Sequence, residues 1–404
     1  MKKIALLILD GLGDRPCKVL HGLTPLQFAY KPNMDRMISE GQGGFMYPVS
    51  PGLNTGSDTS HLSLLGYDPR DVYTGRGPFE AMGLGLLMNP GDIAFRANFA
   101  TVDESGIVTD RRAGRIAEGT AALAQAISME IEGYSFRVRP GVEHRAALVV
   151  SGPNLSDKIS DSDPHETGKR IQEIRALDGS GKKTADLVNR YLKEAGRILK
   201  AHEVNLKRKK EGLVPANALL LRGVGKAPLL KPFHEKYGMK GSCIAGIPLI
   251  RGIGHLAGLS IVYDERMTGS YDSDYGLKVK KAISVLEKED FVIINFKATD
   301  VAGHDGDALR KVEVIEKVDR AIAPLLSLAA STVIAITGDH STPCEMKEHS
   351  GDPLPLLVFS EGIRTDYCSH FDEKHPIMGS LRLTSGDLMQ YLLALSGRAE
   401  KYGA

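Results

Sequence analysis

The 404-residue chain predicts an α/β protein, a parallel sheet covered by helices on both faces, interrupted by an inserted α+β section. Three observations carry this. Short β-branched or aliphatic runs at 4–9, 291–296 and 333–337 read as buried parallel strands. After residue 241, strand candidates alternate with helical stretches, as in a sheet wrapped on both sides. Between about 76 and 240 the texture changes to half-exposed alternating strands and charged amphipathic helices. The chain is also too long for one compact core. The expected organisation is a discontinuous core domain, 1–75 with 241–404, and an inserted domain, 76–240.

Taken in order, the strand at 4–9 ends at Asp10-Gly11, where the backbone must turn tightly. A helix is expected from Pro25 to Glu40, with Thr24 as its cap. Small polar residues at 54–61 look like a loop feeding a helix that begins near Ser57. In the insertion, 93–100, 135–139 and 146–150 read as strands, and 115–132 and 184–210 as helices. The segment 219–226 lacks the full spacing of a phosphate-binding loop. Beyond it, strands are expected at 242–245, 259–263, 291–296 and 333–337, with helices near Ile247, at 275–287 and at 306–327. Internal repeats and low-complexity segments are not found in the sequence.

Composition narrows the function classes. A formal net charge of +1 argues against a dedicated nucleic-acid or membrane surface. The four cysteines (Cys17, Cys243, Cys344, Cys368) are scattered without CxxC spacing, which fits reduced thiols in a cytoplasmic protein. Residues 1–9 are too short for a secretion signal, and no stretch approaches the roughly 20 apolar residues that span a bilayer. The sequence leaves the oligomeric state open.

The chemistry gathers at strand ends. In open α/β sheets, ligands bind outside the carboxyl edge. The strand at 333–337 leads to Gly338-Asp339-His340, with His349 nine residues further on. The strand at 291–296 leads to Lys297-Ala-Thr-Asp300, with His304 four residues later. Asp10 closes the first strand in the same way. Carboxylate oxygens and neutral imidazoles bind borderline divalent cations, and any one of these motifs alone is a weak signal. Three such ends on one sheet edge, with Ser57 and His349, supply enough side chains for two ions. Ser57 itself reads either as an anion-binding helix start or as an ordinary capping serine.

The motifs Leu9-Asp10-Gly11, Asn54-Thr-Gly-Ser57-Asp-Thr-Ser-His61, Asp300-Val-Ala-Gly-His304-Asp-Gly-Asp307, Gly338-Asp339-His340 and His349-Ser-Gly-Asp-Pro-Leu-Pro355 together resemble the alkaline phosphatase superfamily. Within it, Asp10-Gly-Leu-Gly-Asp-Arg-Pro16, Leu62-Ser-Leu-Leu-Gly-Tyr67 and Asp110-Arg-Arg-Ala-Gly-Arg115 resemble the archaeal-type cofactor-independent phosphoglycerate mutases. The likeness runs over essentially the whole chain, in family order.

The resemblance implies an alkaline-phosphatase-like core with an inserted cap. One divalent ion would be held by Asp10, Ser57, Asp339 and His340, the other by Asp300, His304 and His349. Manganese is the expected metal, with zinc, cobalt or magnesium as substitutes and no requirement for 2,3-bisphosphoglycerate. Ser57 would be the nucleophile that takes the phosphoryl group from 3-phosphoglycerate and returns it to the 2-hydroxyl of glycerate. The insertion would then hold the glycerate carboxylate and exclude water, with Arg111, Arg112 and Arg115 as candidates. Arg251 and Lys297 are candidates for phosphate. Asp161-Ser-Asp163-Pro-His165-Glu166 is a polar loop with either an acid–base role or none, and His144 and Arg145 have no assigned role.

Three other readings compete. The same core could serve a phosphomonoesterase, a phosphopentomutase or a phosphonate hydrolase. A metal-free hydrolase on Ser57 and His61 would leave Asp300, His304 and His349 without a purpose. A catalytically silent binding module would not need every ligand position intact.

Overall fold

A computed structural model describes residues 1–401 and 403. The chain divides into two compact units, Met1–Val72 with Leu230–Ala404, and Tyr73–Leu229. The first division lies at Val72, three residues before 75; the second lies at Leu229 rather than 240, and the short helix Phe233–Tyr237 beyond it packs Phe233 against Phe291 of the first unit (ring centroids 4.6 Å).

The first unit contains β1 (Lys3–Leu9) and β2 (Gln42–Tyr47). The second contains β3 (Ile93–Val102), β4 (Val108–Asp110), β5 (Met129–Ile131), β6 (Tyr134–Pro140), β7 (Arg145–Ser151) and β8 (Ala218–Lys226). The first unit resumes with β9 (Gly241–Ile244), β10 (Ser260–Val262), β11 (Phe291–Phe296), β12 (Thr332–Thr337), β13 (Leu354–Phe359) and β14 (Leu381–Thr384).

In the first unit the eight strands run in the order β10-β9-β11-β1-β12-β13-β2-β14. The apolar runs β1, β11 and β12 lie side by side and parallel, buried on both faces. Side chains alternate across the sheet: Ala5, Leu7 and Leu9 pack with the helices Pro32–Ser39, Tyr275–Lys288 and Ala308–Ile322. Ile4, Leu6 and Ile8 are equally buried and point the other way. The sheet is not wholly parallel, since β13 runs against both β12 and β2. The connection from β12 through His349 to β13 forms no helix, and the chain reverses. The glycine-bearing β2 and the short β14 carried no strand signal in the sequence.

The second unit is a six-stranded antiparallel sheet, β4-β3-β7-β6-β5 with β8 on β3. One face packs Ile93, Phe95, Ala97 and Phe99 against the helix Lys182–Ala201, where Tyr191 stacks on Phe136 (4.2 Å). The segment 219–226 lies within β8 and is no phosphate loop.

Three expected helices are broken or shortened. The span 25–40 becomes Pro25–Phe28 and Pro32–Ser39, since the residue before Pro32 is pushed out of helical geometry. Thr24 caps the first piece in a reciprocal pair with Gln27. The span 115–132 holds only Thr120–Ala126 before the chain turns into β5. The span 184–210 breaks at His202, whose extended backbone caps Glu203–Lys210. No described helix is long and apolar enough to cross a membrane.

Candidate active site

The parallel register aligns the ends of β11, β1 and β12, pairing Leu9 with Phe296 and Ile8 with Thr337. The next residues of all three strands therefore emerge together, bringing Asp10, Asp300 and Asp339-His340 to one edge. Asp300 lies on the first turn of the helix Ala298–Asp305, and His304 one turn further along the same face. Ser57 opens the helix Ser57–Leu64 with Gly56 in the cap position, so its side chain is not the cap. Instead the buried Ser57 Oγ lies 3.0 Å from His340 Nε2 and 3.4 Å from Asp10 Oδ1.

The ligand-type atoms fall into two overlapping groups. Asp10, Asp339 and His340 converge, as do Asp300, His340 and His349, with every atom of a group within 4.8 Å of the others. His304 joins the second group: its Nε2 is 3.2 Å from His349 Nε2 and 3.5 Å from Asp300 Oδ1, and His349 Nε2 is 3.6 Å from that oxygen. Their other ring nitrogens lie within hydrogen-bond distance of main-chain carbonyls, His304 Nδ1 at Lys347 (2.9 Å) and His349 Nδ1 at Thr55 (2.8 Å). This orientation leaves both Nε2 atoms facing the carboxylate.

Charge at this edge is unbalanced. Burial, and then the charge of Asp339, push the Asp10 carboxyl up. Burial works the same way on Asp300, but Lys297 overrides it and holds Asp300 well below the usual carboxylate range. Lys297 Nζ reaches Asp10 (2.8 Å) and Asp300 (2.6 Å), and those carboxylates raise the ammonium despite its burial. Burial pushes the His340 imidazole down against its acidic neighbours, favouring the neutral form that can donate a lone pair. Asp339 Oδ1 accepts from the Gly11 and His340 amides (2.9 and 3.0 Å), whereas buried Oδ2 has no hydrogen-bond donor. An orphaned carboxylate oxygen facing imidazole nitrogen fits a cation.

The sequence did not mark Asn295, whose amide donates to Asp10 Oδ2 (2.8 Å) from inside β11. A lone amide in an otherwise apolar buried strand is the signal that could have found it. Thr342, which touches both Asp300 and His340, had no such signal. His61 Nδ1 faces the Ser57 carbonyl (2.8 Å), not its hydroxyl, so the metal-free Ser57–His61 pairing lacks its central contact. Arg251 stacks over Tyr263 (4.1 Å) and donates to the Gly246 carbonyl (3.3 Å).

In the second unit, Arg111 is held in a two-point pair by buried Asp163 (3.1 and 2.7 Å), while Arg112 and Arg115 are exposed. Asp161 accepts from the Gly223 amide (2.9 Å), and His165 lies 3.4 Å from it. The sheet face opposite the core carries further cations, of which the sequence had named only Arg145, without a role. Arg96 and Asn98 alternate onto it from β3, with Arg222 opposite Arg96 and Arg145 opposite Asn98. Glu80 serves both Arg76 (3.1 Å) and Arg96 (3.9 Å). Burial, and then Arg76, lower the Arg96 guanidinium. Asn98 Oδ1 is buried without a hydrogen-bond partner. Cations here outnumber carboxylates, and the unpaired amide oxygen can accept a hydrogen bond from a hydroxyl.

The family model described as 2,3-bisphosphoglycerate-independent phosphoglycerate mutase matches residues 39–205. Curated proteins of that name are similar over full length. The one from Thermoplasma volcanium is 54% identical, spanning 100% of this chain and 99% of the relative. The one from Thermoplasma acidophilum is 52% identical, spanning 100% of both. Among solved structures, the cofactor-independent phosphoglycerate mutase from Thermoplasma acidophilum aligns with a TM-score of 0.77 at 47% identity, over 98% of this chain and 100% of that one. The PH0037 protein from Pyrococcus horikoshii aligns with a TM-score of 0.88 at 39% identity, over 100% and 99%.

Proposed function

This chain belongs to the family of 2,3-bisphosphoglycerate-independent phosphoglycerate mutases, and on that premise we propose that its phosphoryl group travels through Ser57. The enzyme interconverts 3-phosphoglycerate and 2-phosphoglycerate, and the family's name implies no need for 2,3-bisphosphoglycerate. The placement of Ser57 Oγ, buried at a helix start 3.0 Å from His340 Nε2, carries the reading.

The donor set suits divalent cations. Asp10, Ser57, Asp339 and His340 would hold one and Asp300, His304 and His349 the other, with manganese expected ahead of zinc, cobalt or magnesium. When bound, such ions supply positive charge that favours a serine alkoxide and screens the phosphoryl oxygens. In the forward direction Ser57 Oγ forms a bond to phosphorus as the bond from phosphorus to the 3-oxygen breaks, leaving phosphoserine and glycerate. The glycerate 2-hydroxyl then attacks the same phosphorus, and Ser57 Oγ leaves. Lys297, already shared between two carboxylates, is the chain's own cation for the phosphoryl oxygens.

Between the two steps glycerate must be retained and water kept out. We assign that work to the second unit. Arg112 and Arg115, with Arg96, Arg145 and Arg222, offer guanidinium donors to the carboxylate, and Asn98 Oδ1 offers an acceptor to a hydroxyl. Arg111 is committed to Asp163 and acts mainly by fixing that loop. The test is to quench the enzyme during turnover and map phosphate by peptide mass spectrometry. Phosphate on the Ser57 peptide is expected; its absence under conditions where other phosphopeptides survive would remove Ser57 as carrier.

A further inference from the structure

Thr342 lies between the two ligand sets. Its hydroxyl is 2.8 Å from Asp300 Oδ1 and 3.0 Å from His340 Nδ1, and the residue is wholly buried. A hydroxyl has one proton to give, and an ionised carboxylate can only accept. The proton therefore goes to Asp300, and Thr342 Oγ1 must accept from His340 Nδ1–H. A neutral His340 is left with its lone pair on Nε2. That atom faces Ser57 Oγ (3.0 Å), Asp339 Oδ2 (3.4 Å), Asp10 Oδ1 (3.6 Å) and Asp300 Oδ1 (4.0 Å). In the opposite tautomer Nε2 would carry a proton into the space where the carboxylates converge.

The threonine has little freedom to do otherwise. Its amide donates to the Gly13 carbonyl (3.0 Å), and its own carbonyl accepts from buried Lys311 (3.0 Å). Two glycines make room for it. A Cβ on Gly11 would lie 2.6 Å from Thr342 Oγ1, and one on Gly303 would lie 2.4 Å from its carbonyl oxygen and 2.8 Å from Cγ2.

We propose that Thr342 is a positioning residue that couples the two ion sites, setting the His340 tautomer in one ligand set while fixing the Asp300 carboxylate of the other. The coupling rests on the two-ion reading above. Ordering of Asp300 by one cation fixes the hydroxyl, and the hydroxyl then presents the His340 lone pair to the second. Linkage makes the effect reciprocal.

The test uses the metal-free full-length protein, then Mn²⁺ alone. Nitrogen-15 NMR of the His340 ring is expected to show Nδ1–H in wild type and in Thr342→Ser, and loss of that preference in Thr342→Val. Calorimetric Mn²⁺ titration is expected to show both affinities of Thr342→Val weakened by about 10–100-fold, the usual effect of losing a ligand's outer partner, with Thr342→Ser restoring them. An Nε2–H ring in the unsubstituted protein overturns the inference without any variant. Unchanged Mn²⁺ binding in Thr342→Val, or weakening of one ion only, overturns the coupling while leaving two ions in place. A single Mn²⁺ in wild type overturns the two-ion reading and the coupling with it.

Discussion

The strand-end cluster of the first unit and the outer sheet face of the second are unbalanced in opposite directions. Around Asp10 and Asp300, three carboxylates converge and Lys297 is the ammonium shared between two of them. Around Arg96, several guanidiniums share Glu80 and Asp163. Each region buries charge that its own neighbours do not neutralise, a costly arrangement unless a ligand completes it. In the reading proposed above, the first region would take cations and the second an anion bearing hydroxyls.

The largest effect should come from Ser57→Ala. The acid–imidazole cluster would keep most of its ligands, so a folded, metal-binding protein is expected, with mutase turnover down by about 10⁴-fold or more, as for loss of other catalytic nucleophiles. Near-normal turnover would break the assignment and turn attention to Thr59 or Ser60.

Next, Asp300→Ala and His349→Ala should each weaken the same ion, by about 10-fold or more, because no neighbour replaces the lost ligand atom. Equilibrium dialysis against Mn²⁺ reads this directly. Unchanged stoichiometry and affinity in both would mean that the first region's charge imbalance is not a cation site.

The second region is tested by product ratio. A charged hydrogen bond contributes about 1.5–3 kcal/mol. Removing one should shift retention of glycerate against escape by about ten-fold, at ~1.4 kcal/mol per decade. Arg112→Ala, Arg115→Ala and Arg96→Met are expected to slow 2-phosphoglycerate formation and raise the fraction of turnovers releasing inorganic phosphate. The same ratio in all three would place the carboxylate partner elsewhere.

The smallest effect is a titration. Burial, then Arg145 and Arg112, push the His144 imidazole down to about 4. Its folded value lies below the unfolded one, so the unfolded chain binds the extra proton. This residue's contribution to stability is therefore full above the ordinary histidine range and is lost as pH falls toward 4. Arg112→Ala, or saturating glycerate, should raise the His144 value in an NMR titration. No movement with either would show that the arginines near His144 neither set its charge state nor take the anion.

Much of the candidate site is legible in the chain. Asp10, Asp339 and His340 closely follow apolar runs that read as buried strands, Asp300 comes four residues after a third, and the three ends together point to one sheet edge. The reversal of β13 was not legible, because an isolated apolar run does not encode its direction. The helix breaks at Pro32 and His202 differ in kind. Proline is a local signal, whereas the break at His202 depends on Asn205, whose buried side chain bonds the carbonyls of Leu199 and Ala216.

The sequence by itself determined the residue types of the site and the edge they share, because strand periodicity and abrupt glycine–acid ends are local properties. Only the tertiary structure decided which atoms meet. It turned His61 toward a carbonyl and His340 toward Ser57, occupied Arg111 with Asp163, and set Arg96 beside Arg145 and Arg222 from strands far apart in the chain. Hydrogen-bond partners are chosen by distances of a few tenths of an ångström, and packing fixes those distances between segments that carry no information about each other in sequence.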